Sequence, residues 1–328
     1  MDERLINLSE LDPAWRWIEA GLASRFPAQR HASTLDGVGG RWRRRLRALR
    51  RVRGWLSESP GPHVLVTHGP RPSALWGLLG TRRRVRRWLA MSFNFTDEPR
   101  GAGLWIYRWA LRRVDAFIVA STAEADRYAD LFRLPRERFH VQTWCIRPPR
   151  PPEDPPPATP YLIGMGGQGR DYGTLLEALR PEWRLLLVAP DEAVPADAAQ
   201  RPNVQVVNGI PRAEALRLLA GARLMVLPLR DAQVPCGHVT VVQAQHLGVP
   251  VIASEGRGLA DYLADGQTGW LVPPGDARAL SAAIARALAE PHERQRRADA
   301  ARDWAALHCT EDVLRDRVLA LLDAECAA

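Results

Sequence analysis

The chain contains no lysine; all 45 of its basic residues are arginine. Every side chain with a fixed positive charge is therefore a planar guanidinium, able to grip a carboxylate or phosphate with two parallel donors. Cysteine is scarce as well. The four thiols (Cys145, Cys236, Cys309, Cys326) lie far apart, with no Cys-x-x-Cys pair and no zinc-site histidine spacing. Reduced cysteines and no metal or cofactor are expected. No apolar run approaches the roughly 20 residues a membrane-spanning helix needs. The opening MDERLINLSE lacks the basic-then-apolar layout of a secretory signal, so a cytoplasmic location is expected. No segment repeats at a fixed period, which argues against a solenoid.

What is present suits two globular domains. With 328 residues, 46% of them apolar, the chain can bury two cores of ordinary size. Its clearest boundary is RPPRPPEDPPPATP, residues 147–160. Proline fixes its own backbone angle and offers no amide hydrogen, so this run reads as a stiff linker. It separates residues 1–146 from 161–328, with the last helix a candidate to pack back on the first domain.

Both halves alternate short apolar runs with amphipathic stretches, the pattern of a parallel sheet wrapped by helices. In the second half, strands are predicted at 161–165, 184–189, 203–207, 224–227, 250–253 and 269–272, with helices at 174–179, 212–220, 239–247 and 277–289. In the first half, strands are predicted at 4–7, 63–67, 88–93 and 116–120, with helices at 13–24, 41–56, 104–114 and 123–132. The expected fold class is α/β: two Rossmann-like doubly wound domains facing across a cleft. Such sheets bind ligands beyond the carboxyl ends of their strands.

Three segments carry candidate chemistry. In MGGQGRDYGTLLEAL (165–179) a strand enters a glycine-rich turn and then a helix. Gly166 and Gly167 let amides approach an anion, and Arg170 can clamp a phosphate; a plain structural turn explains the glycines equally well. In VPCGHVTVVQAQHLGVPVIAS (234–254), Gly237 precedes a helix whose first amides, His238, Val239 and Thr240, are available to a diphosphate. Gln243 follows one turn later, and His238 also reads as an ordinary surface residue. In the third segment, 256–284, Asp265-Gly266 and Pro273-Pro274-Gly275-Asp276 are accounted for as a turn and a helix cap.

In this order, RDYGTLLEA, LMVLPLRD, CGHVTVVQA, GVPVIAS and DGQTGWLVPPGD resemble the C-terminal domain of the glycosyl transferases group 1 family, mostly retaining enzymes of GT-B fold. The likeness covers roughly residues 160–290, while HVLVTHGPRPSALWGLL and VDAFIVASTAEADRY resemble the family's N-terminal units more loosely. The resemblance implies that Arg170 meets the donor diphosphate and that Ile210 and Pro211 contact the nucleobase through their backbone. It places Gly237 and His238 beside the donor sugar. The family's paired glutamates fall at Pro235 and Gln243, so both are missing, although Gln243 can still bond ribose hydroxyls. The family histidine near the reacting sugar is replaced by Asn94, followed by Asp97 and Glu98. His68 is the nearest surviving histidine, with a structural role the simpler reading. In such a mechanism the leaving diphosphate assists proton transfer, so loss of the glutamates need not abolish activity.

The net charge of +8 is concentrated in the first half, in RWRRRLRALRRVR (41–53) and RRRVRR (82–87). Such a surface suits nucleic-acid phosphates or anionic lipid headgroups, but no nucleic-acid-binding module is present. Trp42, Leu46, Leu49, Val52 and Leu56 share one helical face, expected to pack on the first sheet while the arginines face a membrane. Trp76, Trp88 and Trp105 are candidates either for an apolar acceptor groove or for the core.

The expected function is transfer of a sugar from a nucleoside-diphosphate sugar to a glycan or lipid-linked acceptor, in surface polysaccharide or glycolipid synthesis, without a metal. Peripheral attachment at the inner face of the membrane fits the charge. The alternatives are a non-catalytic sugar-nucleotide-binding or partner-supporting descendant, and an epimerase, against which the sparse carboxylates argue.

Overall fold

The computed structural model describes residues 3–10, 17–58, 61–95, 98–150, 159–230 and 236–324. These residues divide into two compact units, one comprising the chain up to Gln142 together with the segment from Glu311 onward, the other Thr143–Thr310. Of the proline run at 147–160, residues 151–158 lie outside the described residues, as do Asp97, Pro235 and Cys326. Trp144 and Ile146 already belong to the second unit: the Trp144 amide donates to the Tyr262 hydroxyl at 2.8 Å, and Ile146 bridges Thr310.

The first unit is built on β1 (Arg4–Ser9), β2 (Gln29–Ser33), β3 (His63–His68), β4 (Val85–Met91), β5 (Ala116–Val119) and β6 (Phe139–Val141). All pair in parallel, in the order β2-β1-β3-β4-β5-β6. Its helices are α1 (Trp17–Leu22), α2 (Arg41–Glu58), α3 (Pro70–Leu79), α4 (Gly101–Leu111) and α5 (Thr122–Phe132); residues 13–16 of the helix expected at 13–24 are not described. Central strands bury both faces, as parallel strands between helices must; every residue of β3 is buried.

One expectation is corrected here and one pair of alternatives is decided. Of the apolar stripe on α2, Leu49, Val52 and Leu56 are buried, but Trp42 and Leu46 are 68% and 37% exposed. The stripe covers the sheet only along its later turns. Trp76 and Trp88 are core residues, Trp88 donating from its indole to Thr67 at 3.0 Å, so neither can line a groove. Trp105 stays exposed. Strand β4 begins at Val85, three residues before the expected start, and Phe93 leaves the sheet to join a cluster of edge-to-face rings with Phe117, Tyr128 and Phe132. Strands β2 and β6 were not anticipated. Both lie at sheet edges, where a strand is half solvated and carries no apolar run.

The second unit repeats the plan with β7 (Leu162–Met165), β8 (Leu185–Val188), β9 (Val204–Val207), β10 (Leu224–Leu227), β11 (Val251–Ser254) and β12 (Trp270–Val272). The order is β12-β11-β10-β7-β8-β9, again parallel. Helices α6 (Tyr172–Ala178), α7 (Arg212–Ala220), α8 (His238–His246), α9 (Ala277–Ala289) and α10 (Pro291–His308) sandwich the sheet between two apolar cores. Helix α10 escaped the sequence pattern because its buried face is Arg297, Ala298, Ala301 and Ala305, not a stripe of large apolar residues. The chain then returns to the first unit through α11 (Glu311–Asp323), which packs on α1 and β4.

Each sheet grows in both directions from its first strand. The reversal falls between β1 and β3 in the first unit, and between β7 and β10 in the second. Ligands of such sheets bind outside the strand ends at this switch point.

Candidate functional site

In the second unit the switch point is where the two glycine-led segments meet. Beyond β7 the chain turns through Gly166 (φ +87°), Gly167, Gln168 and Gly169 (φ +69°) to Arg170. Both angles are in the left-handed region, where only glycine is free of strain. The Tyr172 hydroxyl donates to the Gly166 carbonyl at 2.6 Å and holds the turn from below. The Arg170 side chain folds back across it, donating from Nε to the Met165 carbonyl at 2.8 Å and from Nη1 to the Gln168 carbonyl at 2.9 Å. Its Nη2 reaches the Thr240 hydroxyl at 3.3 Å.

Arg170 is only 4% exposed, and burial lowers its pKa from the usual arginine range. Its hydrogen-bond partners among the described residues are two carbonyls, the Thr240 and Tyr172 hydroxyls and the Cys236 thiol, with no carboxylate among them. A guanidinium withdrawn from water without an acid beside it is costly unless an anion completes it.

Helix α8 supplies a second positive element. Gly237 sits at its start with φ +88° and no side chain capping the helix. A Cβ there would lie 2.8 Å from Leu227 Cδ2 and 3.7 Å from Arg170 Nη1. The first intrahelical bond runs from the Val241 amide to the Gly237 carbonyl, so the amides of His238, Val239 and Thr240 stand outside the ladder. The positive end of the helix thus opens beside the buried guanidinium, a combination suited to a phosphate group.

The surface reading of His238 is corrected. Its ring is 6% exposed, stacks on Tyr262 at 4.7 Å, and pairs through Nε2 with the Gly258 carbonyl at 2.9 Å. Burial lowers its pKa to about 4, so the ring is neutral at pH 7, with its proton on the nitrogen facing that carbonyl. Only its backbone amide is left for an anion. Gln243, 8% exposed, lies one turn beyond the exposed Val239. Ile210 and Pro211 lie farther along the same sheet edge, past β9 and two strands from β7, with Pro211 opening α7. Ile210 lines a cavity of about 600 Å³ beside α7, β8 and β9, to which Arg170 and Gly237 do not contribute.

The first unit presents different chemistry at its own strand ends. His68 closes β3 and is buried. Gly69 follows with φ +97°, and a Cβ there would collide with the Glu10 carboxylate, which lies over it. The Glu10 amide donates to the His68 carbonyl at 3.3 Å, and burial raises the Glu10 pKa against the pull of Arg71, 3.9 Å away. Beyond β4, Asn94 donates from Nδ2 to Glu124 at 2.5 Å. Glu124 is fully buried at the start of α5, accepting from the Ala120 amide at 2.8 Å, while its own amide donates to the Ser121 hydroxyl at 3.2 Å. Burial raises its pKa to about 7, with these hydrogen bonds acting in opposition.

The structure therefore gathers Gly166, Gly167, Arg170, Gly237 and Thr240, with the amides of His238 and Val239, at one switch point. It leaves Ile210 and Pro211 two strands away and puts His68 and Asn94 in the other unit. Sequence reasoning missed Glu10 and Glu124. Glu124 had a signal: Ser121-Thr122-Ala123-Glu124 has the spacing of a capping box. Glu10 had none, because it sits over Gly69 only through the pairing of β1 with β3. Among the described residues no three His, Cys, Asp or Glu side chains cluster as metal ligands, and no helix is long and apolar enough to cross a membrane.

Comparison with known proteins gives these units relatives. Residues 175–304 match the family model for glycosyl transferases group 1, and residues 12–143 match that for a glycosyl transferase 4-like domain. Over 94 residues, 28% of this chain and 23% of the relative, it is 33% identical to the amylovoran biosynthesis glycosyltransferase AmsK of Erwinia amylovora. It is 27% identical to a glycogen synthase of Mycobacterium tuberculosis over 216 residues, 59% of this chain and 50% of that enzyme. The chain thus spans half or less of the curated relatives it matches. Among solved structures, Anabaena HepE in complex with UDP and glucose superposes with a TM-score of 0.74 at 13% identity, covering 98% of this chain and 99% of that one. Sucrose-phosphate synthase of Thermosynechococcus elongatus gives a TM-score of 0.72 at 20% identity, covering 97% and 98%.

Proposed function

We propose, from the premise that the chain belongs to the GT-B glycosyltransferase family, that it moves a sugar from a nucleoside-diphosphate donor to a hydroxyl of a glycan or lipid-linked acceptor. The observation that carries this reading is the buried guanidinium of Arg170, without a carboxylate partner among the described residues, beside the uncapped start of α8. Developing charge on a departing diphosphate is what fixed donors of this kind stabilise, and they take the part a metal ion plays elsewhere. Gly166 and Gly167 let the turn approach the phosphates, and Thr240 sets the guanidinium fork. Gln243 serves the ribose, and the backbone at Ile210 and Pro211 serves the base. The acceptor side falls to the first unit, with Asn94 held by Glu124 and with His68. Retention of anomeric configuration is the outcome that the family resemblance implies, and it is part of the proposal. AmsK is named for amylovoran biosynthesis, which supports surface polysaccharide as the product class.

The test is a thermal-shift screen against UDP, GDP, ADP, TDP and their common sugar conjugates, with Arg170→Ala in parallel. A ligand that binds only the folded state raises its melting temperature. A shift with one nucleotide family that vanishes in the variant supports the reading, and UDP is the first candidate because HepE was solved with it. Product NMR from the matching sugar donor then reports retention or inversion. No shift with any nucleotide would refute the donor site.

A further inference from the structure

Helix α4 is apolar on the wrong side. Its inner face, Ala110 and Leu111, is buried, yet Trp105, Ile106 and Trp109 on its outer face are 65%, 49% and 42% exposed. Spacings of one, three and four place these three side chains on a single stripe toward solvent. A soluble helix normally keeps that face polar, and clustered exposed apolar side chains mark an interaction surface. On α2 the first turns show the same inversion at Trp42 and Leu46.

The two stripes belong to helices of one layer, since α3 packs against both α2 and α4. Helices α3 and α4 pack tightly because Gly77 carries no side chain where the Ala110 backbone comes close. Each exposed indole is bordered by a guanidinium: Arg45 over Trp42 at 5.5 Å, Arg108 over Trp105 at 5.5 Å and Arg112 over Trp109 at 5.1 Å. Helix α2 has eight arginines and no acid before Glu58, and no acid occurs between Arg100 and Val114.

We propose that this outer layer of α2, α3 and α4 docks the first unit onto an anionic lipid bilayer. Indoles favour the headgroup boundary, Ile106 enters the acyl edge, and the arginines pair with lipid phosphates. Charge and apolarity alternate within single turns here, as interfacial helices require, whereas a nucleic-acid surface would leave Ile106 in water. The layer lies on the unit assigned to the acceptor, so the inference deepens the reading of a membrane-borne acceptor and rests on it for its purpose. Its test does not depend on sugar transfer.

The experiment is co-sedimentation of the full chain with phosphatidylglycerol–phosphatidylcholine vesicles and with phosphatidylcholine vesicles alone. Two variants accompany it, Trp105→Ser/Trp109→Ser and Arg43→Gln/Arg47→Gln/Arg50→Gln, all on exposed side chains. The wild type should partition onto anionic vesicles only. The arginine variant should bind more weakly by roughly fivefold per charge removed, since each surface charge contributes about 1 kcal/mol. The tryptophan variant should lose about tenfold and resist rescue by low salt. Both should keep the wild-type melting temperature and nucleotide shift, which separates failure of docking from failure of the donor site. Three results would each overturn the proposal: no vesicle binding, binding equal in both variants, or a concentration-dependent dimer or single-stranded RNA complex that the tryptophan variant abolishes while vesicles stay unbound.

Discussion

The two units share one plan, six parallel strands with a reversal beside the first of them, yet they place opposite chemistry at that reversal. The second unit buries a guanidinium with no acid partner among the described residues, beside the positive end of α8. The first places a half-buried carboxyl group there, Glu10 over Gly69, and buries a second, Glu124, beside Asn94 two strands away. Glycines at Gly69, Gly166 and Gly237 do the same geometric work in both, letting backbone turn where a side chain would collide. A shared fold therefore supplies the position, and the charge at that position decides what each unit can bind.

The largest effect that would break this contrast is loss of Arg170. Arg170→Ala should weaken nucleotide-diphosphate binding roughly 100-fold, the worth of one or two charged hydrogen bonds. Arg170→Lys, which keeps the charge but loses the fork, should cost about tenfold. Isothermal titration would show both, and equal losses would mean that the forked geometry, not the charge alone, carries the binding.

Next in size is the pH response, which should differ in sign between the units. Glu124 titrates near 7 in the folded chain and near 4.5 when unfolded, so the folded form holds more protons between those values. Stability of the first unit should fall as pH rises from 4.5 to 7, by up to about 3 kcal/mol. His238 titrates near 4 when folded and 6.5 when free, so here the unfolded form holds more protons. Stability of the second unit should rise by a similar amount as pH rises from 4 to 6.5. Amide hydrogen exchange at pH 5 and 7, resolved by unit, checks this, and Glu124→Gln should flatten the first slope alone.

Smaller again, Gly237→Ala should cost about 2 kcal/mol in the unfolding of the second unit, because alanine is strained at φ +88° and would press Leu227. Smallest, Thr240→Val removes one long hydrogen bond to Arg170 and should raise the nucleotide dissociation constant about fivefold. If Thr240→Val matched Arg170→Ala, the hydroxyl rather than the guanidinium would be the main ligand.

The same contrast explains how much could be read from sequence. In the second unit the strand and helix bounds at 212–220, 224–227 and 277–289 coincide with α7, β10 and α9, because turn glycines and capping residues fence each element. Arg170 and Gly237 were legible because each sits in a local motif, a glycine turn or a helix start. In the first unit the decisive neighbours are distant in sequence. Asn94 meets Glu124 thirty residues on, and no local pattern encodes that pairing. The burial of the His238 ring was likewise hidden, since it depends on Tyr262 arriving from another loop.

Helix α11 has a consequence for synthesis on the ribosome. It belongs to the first unit, yet more than 160 residues of the second unit precede it in the chain. The second unit is one continuous segment and can mature as soon as it has emerged. The first cannot be completed until its last helix leaves the exit tunnel and closes over α1 and β4, where Arg87 donates to the Leu321 carbonyl at 3.0 Å. Until then the earliest-made sheet has an uncovered apolar strip, in wait for Val318 and Leu322. A nascent chain ending at Thr310 and tethered to the ribosome by a spacer long enough to clear the tunnel should present a finished second unit behind a protease-sensitive first one, the reverse of the order in which they were translated.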